Sequence, residues 1–105
     1  VETPAGIEAL PEIVKVPGID VVFIGPVDLS NSLGHPGDFE HADVQAAFDR
    51  IVSIVAKSDK TLGVLASTIE ASLEWRARGA RYLLCVVEAI MGPAIRSYLK
   101  AVREG

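Results

Sequence analysis

Val21-Val22-Phe23-Ile24-Gly25-Pro26-Val27-Asp28-Leu29-Ser30 is the stretch on which the reading of the fold turns. Its first four residues are apolar and three of them are β-branched, which predicts a short buried strand over Val21–Ile24. Gly25-Pro26 stops the run, and a single carboxylate follows at Asp28. A buried strand has no structural use for an acid at its end, so Asp28 is a candidate ligand or catalytic group. An Asp ahead of Leu29-Ser30 also fits an Asx turn or a helix cap, and the local pattern leaves both readings open.

The 105 residues suffice for one small domain and are too few for two. Half of them are apolar, enough for a core, while 23% are charged and the net charge is −4. That balance argues against a disordered tail, a polybasic arm or a nucleic-acid surface. Cys85 is the single cysteine, inside the apolar run Tyr82–Val87, so a buried structural thiol is expected and an internal disulfide is impossible. No basic, then apolar leader opens the sequence, and no apolar stretch is long enough for a bilayer. The expectation is a cytoplasmic protein with no membrane partner. Val1-Glu2-Thr3-Pro4 lacks an initiator methionine and reads like the tail of a strand already under way, so more chain is expected before Val1.

Outward from the opening stretch, helix and strand signals alternate. Ile7, Leu10, Ile13 and Val14 are at helical spacing over Ala5–Val16, with Pro4 suited to a first turn, Pro17-Gly18 as a stop, and Pro11 near the start or at a kink. Asn31–His41, rich in Gly, Pro, Asp and Asn, reads as a long loop. Val44, Ala47, Phe48, Ile51, Ile54 and Val55 predict a helix over Ala42–Lys57, with Asp43 in its first turn. Leu62–Ala66 reads as a strand, and Ser67 or Thr68 caps a helix through Ile69, Leu73, Trp75 and Arg76 that stops before Gly79. Tyr82–Val87 reads as the next strand, and Pro93–Arg103 as the last helix, with Ile95, Tyr98, Leu99 and Val102 on its apolar face.

This rhythm is that of parallel βα units. Three strands and a stub cannot close a barrel, and an open sheet covered on one side leaves apolar faces wet, so about half of an eight-unit (β/α)₈ TIM barrel is the simplest parent. A small doubly wound domain is the rival, but no strand is followed by GxGxxG or a P-loop.

In such an array the C-terminal strand ends meet on one face. Glu2, Asp28, Leu65 and Glu88 fall at those ends. Glu2 and Asp28 end neighbouring strands, which pair about 5 Å apart, so their carboxylates can converge on one cation. Two hard oxygen donors with open positions suit Mg²⁺ or Mn²⁺. The bland alternative is a solvated terminal Glu2 and a capping Asp28. His35 and His41 could also bind metal, but with no neighbouring Cys or third His they read as solvent-exposed loop residues. Ser30, Ser32, Ser67 and Ser72 lack a G-x-S-x-G turn, and Trp75 among charged neighbours reads as partly buried packing.

The run Gly18-Ile19-Asp20-Val21-Val22-Phe23-Ile24-Gly25-Pro26-Val27-Asp28-Leu29-Ser30-Asn31-Ser32-Leu33-Gly34, with Glu2-Thr3 before it and Val44-Gln45 after it, closely resembles the HpcH/HpaI aldolase family. The resemblance covers nearly the whole chain and implies that residues 1–105 are a single partial domain, the C-terminal half of that family's barrel. It implies a class II, metal-dependent lyase that cleaves 4-hydroxy-2-oxo acids, such as 4-hydroxy-2-oxoheptanedioate or 2-keto-3-deoxy sugar acids, to pyruvate and an aldehyde. Glu2 and Asp28 match the family's two metal-binding carboxylates, for Mg²⁺, Mn²⁺ or Co²⁺. By the same similarity the backbone N–H groups of Val27 and Asp28 hold the pyruvate carboxylate, and Leu65 lines the substrate side.

A divalent ion chelated by the oxo acid would stabilise the enolate, so no Schiff-base lysine is needed; Lys15, Lys57, Lys60 and Lys100 all fall on helices or in loops. The family's catalytic arginine and its histidine–aspartate pair belong to the other half, so no catalytic residue is expected within this chain and alone it should be inactive. The resemblance also implies a homo-oligomer, with the last helix around Ile95, Tyr98 and Leu99 against a neighbour. Where relatives usually read Gly-Val-Asp this chain has Val86-Val87-Glu88, which leaves the role of Glu88 open, and Val86 would narrow the pocket or alter subunit contacts. The alternative from a different class is a noncatalytic half-barrel serving as an oligomerisation or scaffold module.

Overall fold

The computed structural model describes residues 1–105. In chain order the elements are α1 (Pro4–Ile13), β1 (Val21–Ile24), α2 (Pro26–Ser32), α3 (Ala42–Ala56), β2 (Thr61–Leu65), α4 (Ile69–Ala77), β3 (Tyr82–Leu84) and α5 (Val87–Glu104). The strands form one parallel sheet in the order β1-β2-β3, with Phe23 opposite Gly63 and Gly63 opposite Tyr82. Val1 continues this pattern beyond β1: its amino group donates to the Phe23 carbonyl, and its carbonyl accepts from Gly25 N–H at 3.4 Å. One residue bridging positions 23 and 25 in this way is the hydrogen-bond pattern of a parallel ladder.

Local chemistry explains most boundaries. Thr3 caps α1 by accepting from Gly6 N–H at 3.1 Å, and Pro4 follows where its missing N–H costs nothing. Thr68 caps α4 in the same way, through Ala71 N–H at 3.1 Å. Val22, Ile24, Leu62 and Val64 alternate onto the helix-covered face, where they join Leu10, Val44, Phe48, Ile51 and Val55 in the core. On the opposite face Phe23 and Tyr82 meet edge to face, ring centroids 6.0 Å apart, across Gly63.

Four regions differ from the sequence expectation: α1, for one, ends at Ile13 and not at Val16, with Pro11 in its last turn and not near its start. Asn31 and Ser32, read as loop, close α2, and only Leu33–His41 is irregular, with Gly34 and Gly37 at φ of 82° and 71°. The last strand stops at Leu84 and not at Val87, and α5 begins at Val87, six residues before Pro93, which lies inside it. Glu88, Ala89 and Met91 are good helix formers, and Pro93 sits on a helix with no buried residue. Cys85 is exposed and not buried, because it lies beyond Ala80, the last residue that the core buries. No helix is long and apolar enough to cross a membrane.

Gly63 leaves room for the aromatic pair: a Cβ there would lie 2.9 Å from Phe23 Cδ2 and Val21 Cγ1 and 3.0 Å from Tyr82 Cδ1. Gly63→Ala should therefore lower the free energy of unfolding by about 1–3 kcal/mol, the range for overpacking a tight site. Urea titration followed by circular dichroism measures it, and an unchanged midpoint would mean that the two rings separate at no cost.

Candidate functional site

Parallel pairing brings Glu2, the Gly25 turn and the end of β2 to one edge of the sheet. The Glu2 side chain packs over Gly25 at this edge. A Cβ on Gly25 would stand 2.8 Å from Glu2 Oε1 and 3.2 Å from its Cδ, so the glutamate carboxylate occupies the space that any larger residue at 25 would need. Ser32 Oγ, at the end of α2, lies 2.8 Å from the Glu2 carbonyl and 2.9 Å from that of Leu29, sharing its proton between them. Both ends of α2 thus touch Glu2 or the turn beside it.

Gly25 is the N-cap of α2 and Pro26 its first residue, so Asp28 stands in the first turn. The first-turn N–H groups of a helix have no partner within it; Pro26 has none to offer, which leaves those of Val27 and Asp28 as outward donors. Ser30 is buried and fixes the turn: its Oγ donates to the Val27 carbonyl at 2.8 Å and accepts from Gly37 N–H at 3.0 Å. Both Glu2 and Asp28 are exposed, and neither carboxylate takes part in an ion pair. Lys15 is engaged by Glu12 at 2.6 Å. Lys60 pairs with Asp59, whose carboxyl it holds below the ordinary range by hydrogen bond and then by charge, at the opposite end of β2.

Leu65, half-buried at the end of β2, borders a 450 Å³ cleft with Val27, Pro26, Phe48, Trp75 and Glu74. Trp75 is its floor, edge to face with Phe48 at 4.9 Å and under the Arg78 guanidinium at 5.2 Å. Arg78 bridges α4 to α3 through Asp49 at 3.4 Å and Gln45, and pairs with Glu74 of its own helix at 2.9 Å. Glu88, expected at a strand end, lies instead in the first turn of α5.

A second group of donors is only partly legible in the sequence, which offers His35 and His41 but no third donor. His35 and His41 are half-buried and stack with ring centroids 3.4 Å apart, and Asp43 supplies the third donor that the two histidines lacked. The available signal was the pair His41-x-Asp43 at a helix start, where Asp43 served only as a first-turn acid.

The HpcH/HpaI aldolase/citrate lyase family model matches residues 1–88. The chain belongs to this family. It is 38% identical over 104 residues to the hydroxypyruvate/pyruvate aldolase of Paraburkholderia phytofirmans, covering 98% of this chain and 40% of that protein. It is 33% identical over 91 residues to the 4-hydroxy-2-oxo-heptane-1,7-dioate aldolase of Klebsiella pneumoniae, covering 87% of this chain and 34% of that protein. A solved HpcH/HpaI aldolase/citrate lyase family protein from Burkholderia cenocepacia superposes with a TM-score of 0.91 at 33% identity, over 98% of this chain and 40% of that one. This member therefore spans between a third and two fifths of the length of these relatives, and its three parallel strands match part of the solved relative's barrel.

Trp75→Ala should cost about 3–5 kcal/mol of stability, the usual loss for a buried aromatic. Leu73→Ala, on the exposed side of α4, should stay within about 0.5 kcal/mol. Denaturation followed at 222 nm compares the two, and equal losses would show that the cleft floor is not part of the core.

Proposed function

We propose that residues 1–105 supply the metal- and oxo-acid-binding half of a cytoplasmic (β/α)₈ lyase that cleaves 4-hydroxy-2-oxo acids to pyruvate and an aldehyde. The observation that carries this reading is the Glu2 carboxylate packed on Gly25, one turn from Asp28, with no cationic side chain paired to either. Two exposed, unpaired carboxylates beside one turn fit a hard divalent ion such as Mg²⁺ or Mn²⁺. When bound there, such an ion supplies the positive charge on which electron density can collect as the carbon–carbon bond opens.

The chain's own groups bind and orient. The Val27 and Asp28 N–H donors suit the substrate carboxylate, reinforced by the partial positive charge of a helix start. Leu65 and the apolar part of the cleft suit the carbon skeleton and exclude water from it. Proton transfer to and from the aldehyde oxygen falls to groups outside these residues, as the family resemblance implies.

A second reading, an oligomerisation or scaffold module, draws on the exposed apolar side chains of β3 and α5, among them Leu84, Ile90, Ile95 and Tyr98. Both readings accommodate a homo-oligomer. They part on metal: a stable dimer in sedimentation that takes up no Mg²⁺ or Mn²⁺ in calorimetry supports the module and counts against the lyase.

For the complete barrel carrying this segment, stripped with EDTA and reloaded with Mg²⁺ or Mn²⁺, pyruvate release is the readout. Asp28→Asn should lower turnover about a hundredfold or more, because the charge stabilisation at stake is several kcal/mol. Gly25→Ala, which pushes Glu2 aside, should weaken metal affinity by about 10–100-fold, as for other changes that disturb a ligand from behind. Metal-independent pyruvate release, or full turnover by Asp28→Asn, would overturn the proposal.

A further inference from the structure

We propose that His35, His41 and Asp43 form a second cation site, separate from the strand-end carboxylates, for a borderline divalent ion of the Zn²⁺ or Ni²⁺ class. One donor atom from each residue lies within 4.8 Å of the others. His35 Nε2 is 3.0 Å and His41 Nδ1 3.7 Å from Asp43 Oδ2. Donors bound to one tetrahedral ion at about 2.0–2.1 Å lie about 3.3 Å apart, and the two observed separations bracket that value. Two imidazoles and one carboxylate with a position left for water is a donor set for Zn²⁺ or Ni²⁺, whereas Mg²⁺ prefers oxygen alone.

The scaffold around these donors is already built. The loop Leu33–His41 is pinned to α2 by His35 N–H on the Ser30 carbonyl at 2.9 Å and by Gly37 N–H on Ser30 Oγ at 3.0 Å. Its far end is held to α3 by Gln45 Nε2 on the Phe39 carbonyl at 2.7 Å. The side chains of His35 and His41 are 26% and 36% exposed, open to an entering ion, and no lysine or arginine pairs with Asp43.

Four costs set the strength of the site, the first being the His35 Nε2–Asp43 Oδ2 hydrogen bond at 3.0 Å, which an ion between those atoms replaces. Stacked rings, here inclined by only 16°, aim their lone pairs along parallel planes, so one imidazole must turn before both can share an ion. His41 Nδ1 also accepts from Asp43 N–H at 3.2 Å as the cap of α3, a bond surrendered on coordination through that atom. The positive end of the α3 dipole opposes a cation as well, and the full negative charge of Asp43 outweighs that fractional charge. Phe39 and Glu40 of the same loop line the cleft beside Val27, so an ion held here would fix one wall of that cleft.

Zn²⁺ titration of the full chain by calorimetry tests the proposal, with the Glu2→Gln/Asp28→Asn double variant as background to silence the other carboxylates. That background should still bind one Zn²⁺, with the His35 and His41 ring nitrogens shifting in long-range ¹H–¹⁵N spectra. Adding His35→Ala, or His41→Ser, which keeps a capping hydroxyl but removes the imidazole, should weaken binding at least tenfold while the circular dichroism spectrum is retained. Undiminished Zn²⁺ binding in both histidine variants, or none in the background protein, would overturn the proposal. Neither result bears on the lyase reading, which the background substitutions isolate.

Discussion

Parallel strand pairing is the constraint from which the rest follows. Because β1, β2 and β3 all run the same way, each must finish at the same edge, and each return helix must cross the sheet. That geometry brings the Gly25-Pro26-Val27 turn beside Leu65, about forty residues further along the chain, and the ladder bonds of Val1 deliver Glu2 to the same edge. It also commits α1 and α3 to one face of the sheet, where all of the strand residues in the core are found.

The site edge is held by backbone and hydroxyl contacts more than by charge. Gly25 serves through the side chain it lacks: the Glu2 carboxylate fills the space above its Cα, so the turn and the acid fix one another. Ser30 and Ser32 then tie α2 to the loop that follows and to the Glu2 backbone, respectively. A seven-residue helix is too short to be stable by itself, and these contacts supply what its own hydrogen bonds cannot.

The same point explains what could be read from the sequence and what could not. The bounds of β1 emerged because a β-branched run meets Gly25-Pro26, and α3 emerged because its apolar spacing is unbroken from Val44 to Val55. Both signals are local. Helix α2 was hidden because Ser30-Asn31-Ser32 has turn composition, and its stability comes from partners at Glu2 and Gly37. At the other end Cys85-Val86-Val87 carries strand propensity in its β-branched valines, yet the helix-forming residues after it take Val87 into α5. Of the candidate site, the placing of Glu2 beside the Gly25 turn follows from strand order, whereas the convergence of Asp43 on two histidines depends on a loop path that no periodicity encodes.

One-sided cover has an energetic consequence that divides the chain. The last core residue is Ala80; β3 and α5 beyond it contribute no buried side chain, and Tyr82, Leu84, Ile90, Ile95 and Tyr98 are all substantially exposed. Fully burying an apolar side chain is worth about 1.5–3 kcal/mol, so covering several of these outweighs much of the roughly 4–15 kcal/mol that an association loses in freedom of motion. The segment from Val1 to Ala80 has a core of its own and contains each of Glu2, Val27, Asp28 and Leu65. The geometry of the site edge is therefore set by packing that this chain completes internally, and what covers β3 and α5 governs the stability of the sheet's far side more than the placement of the carboxylates.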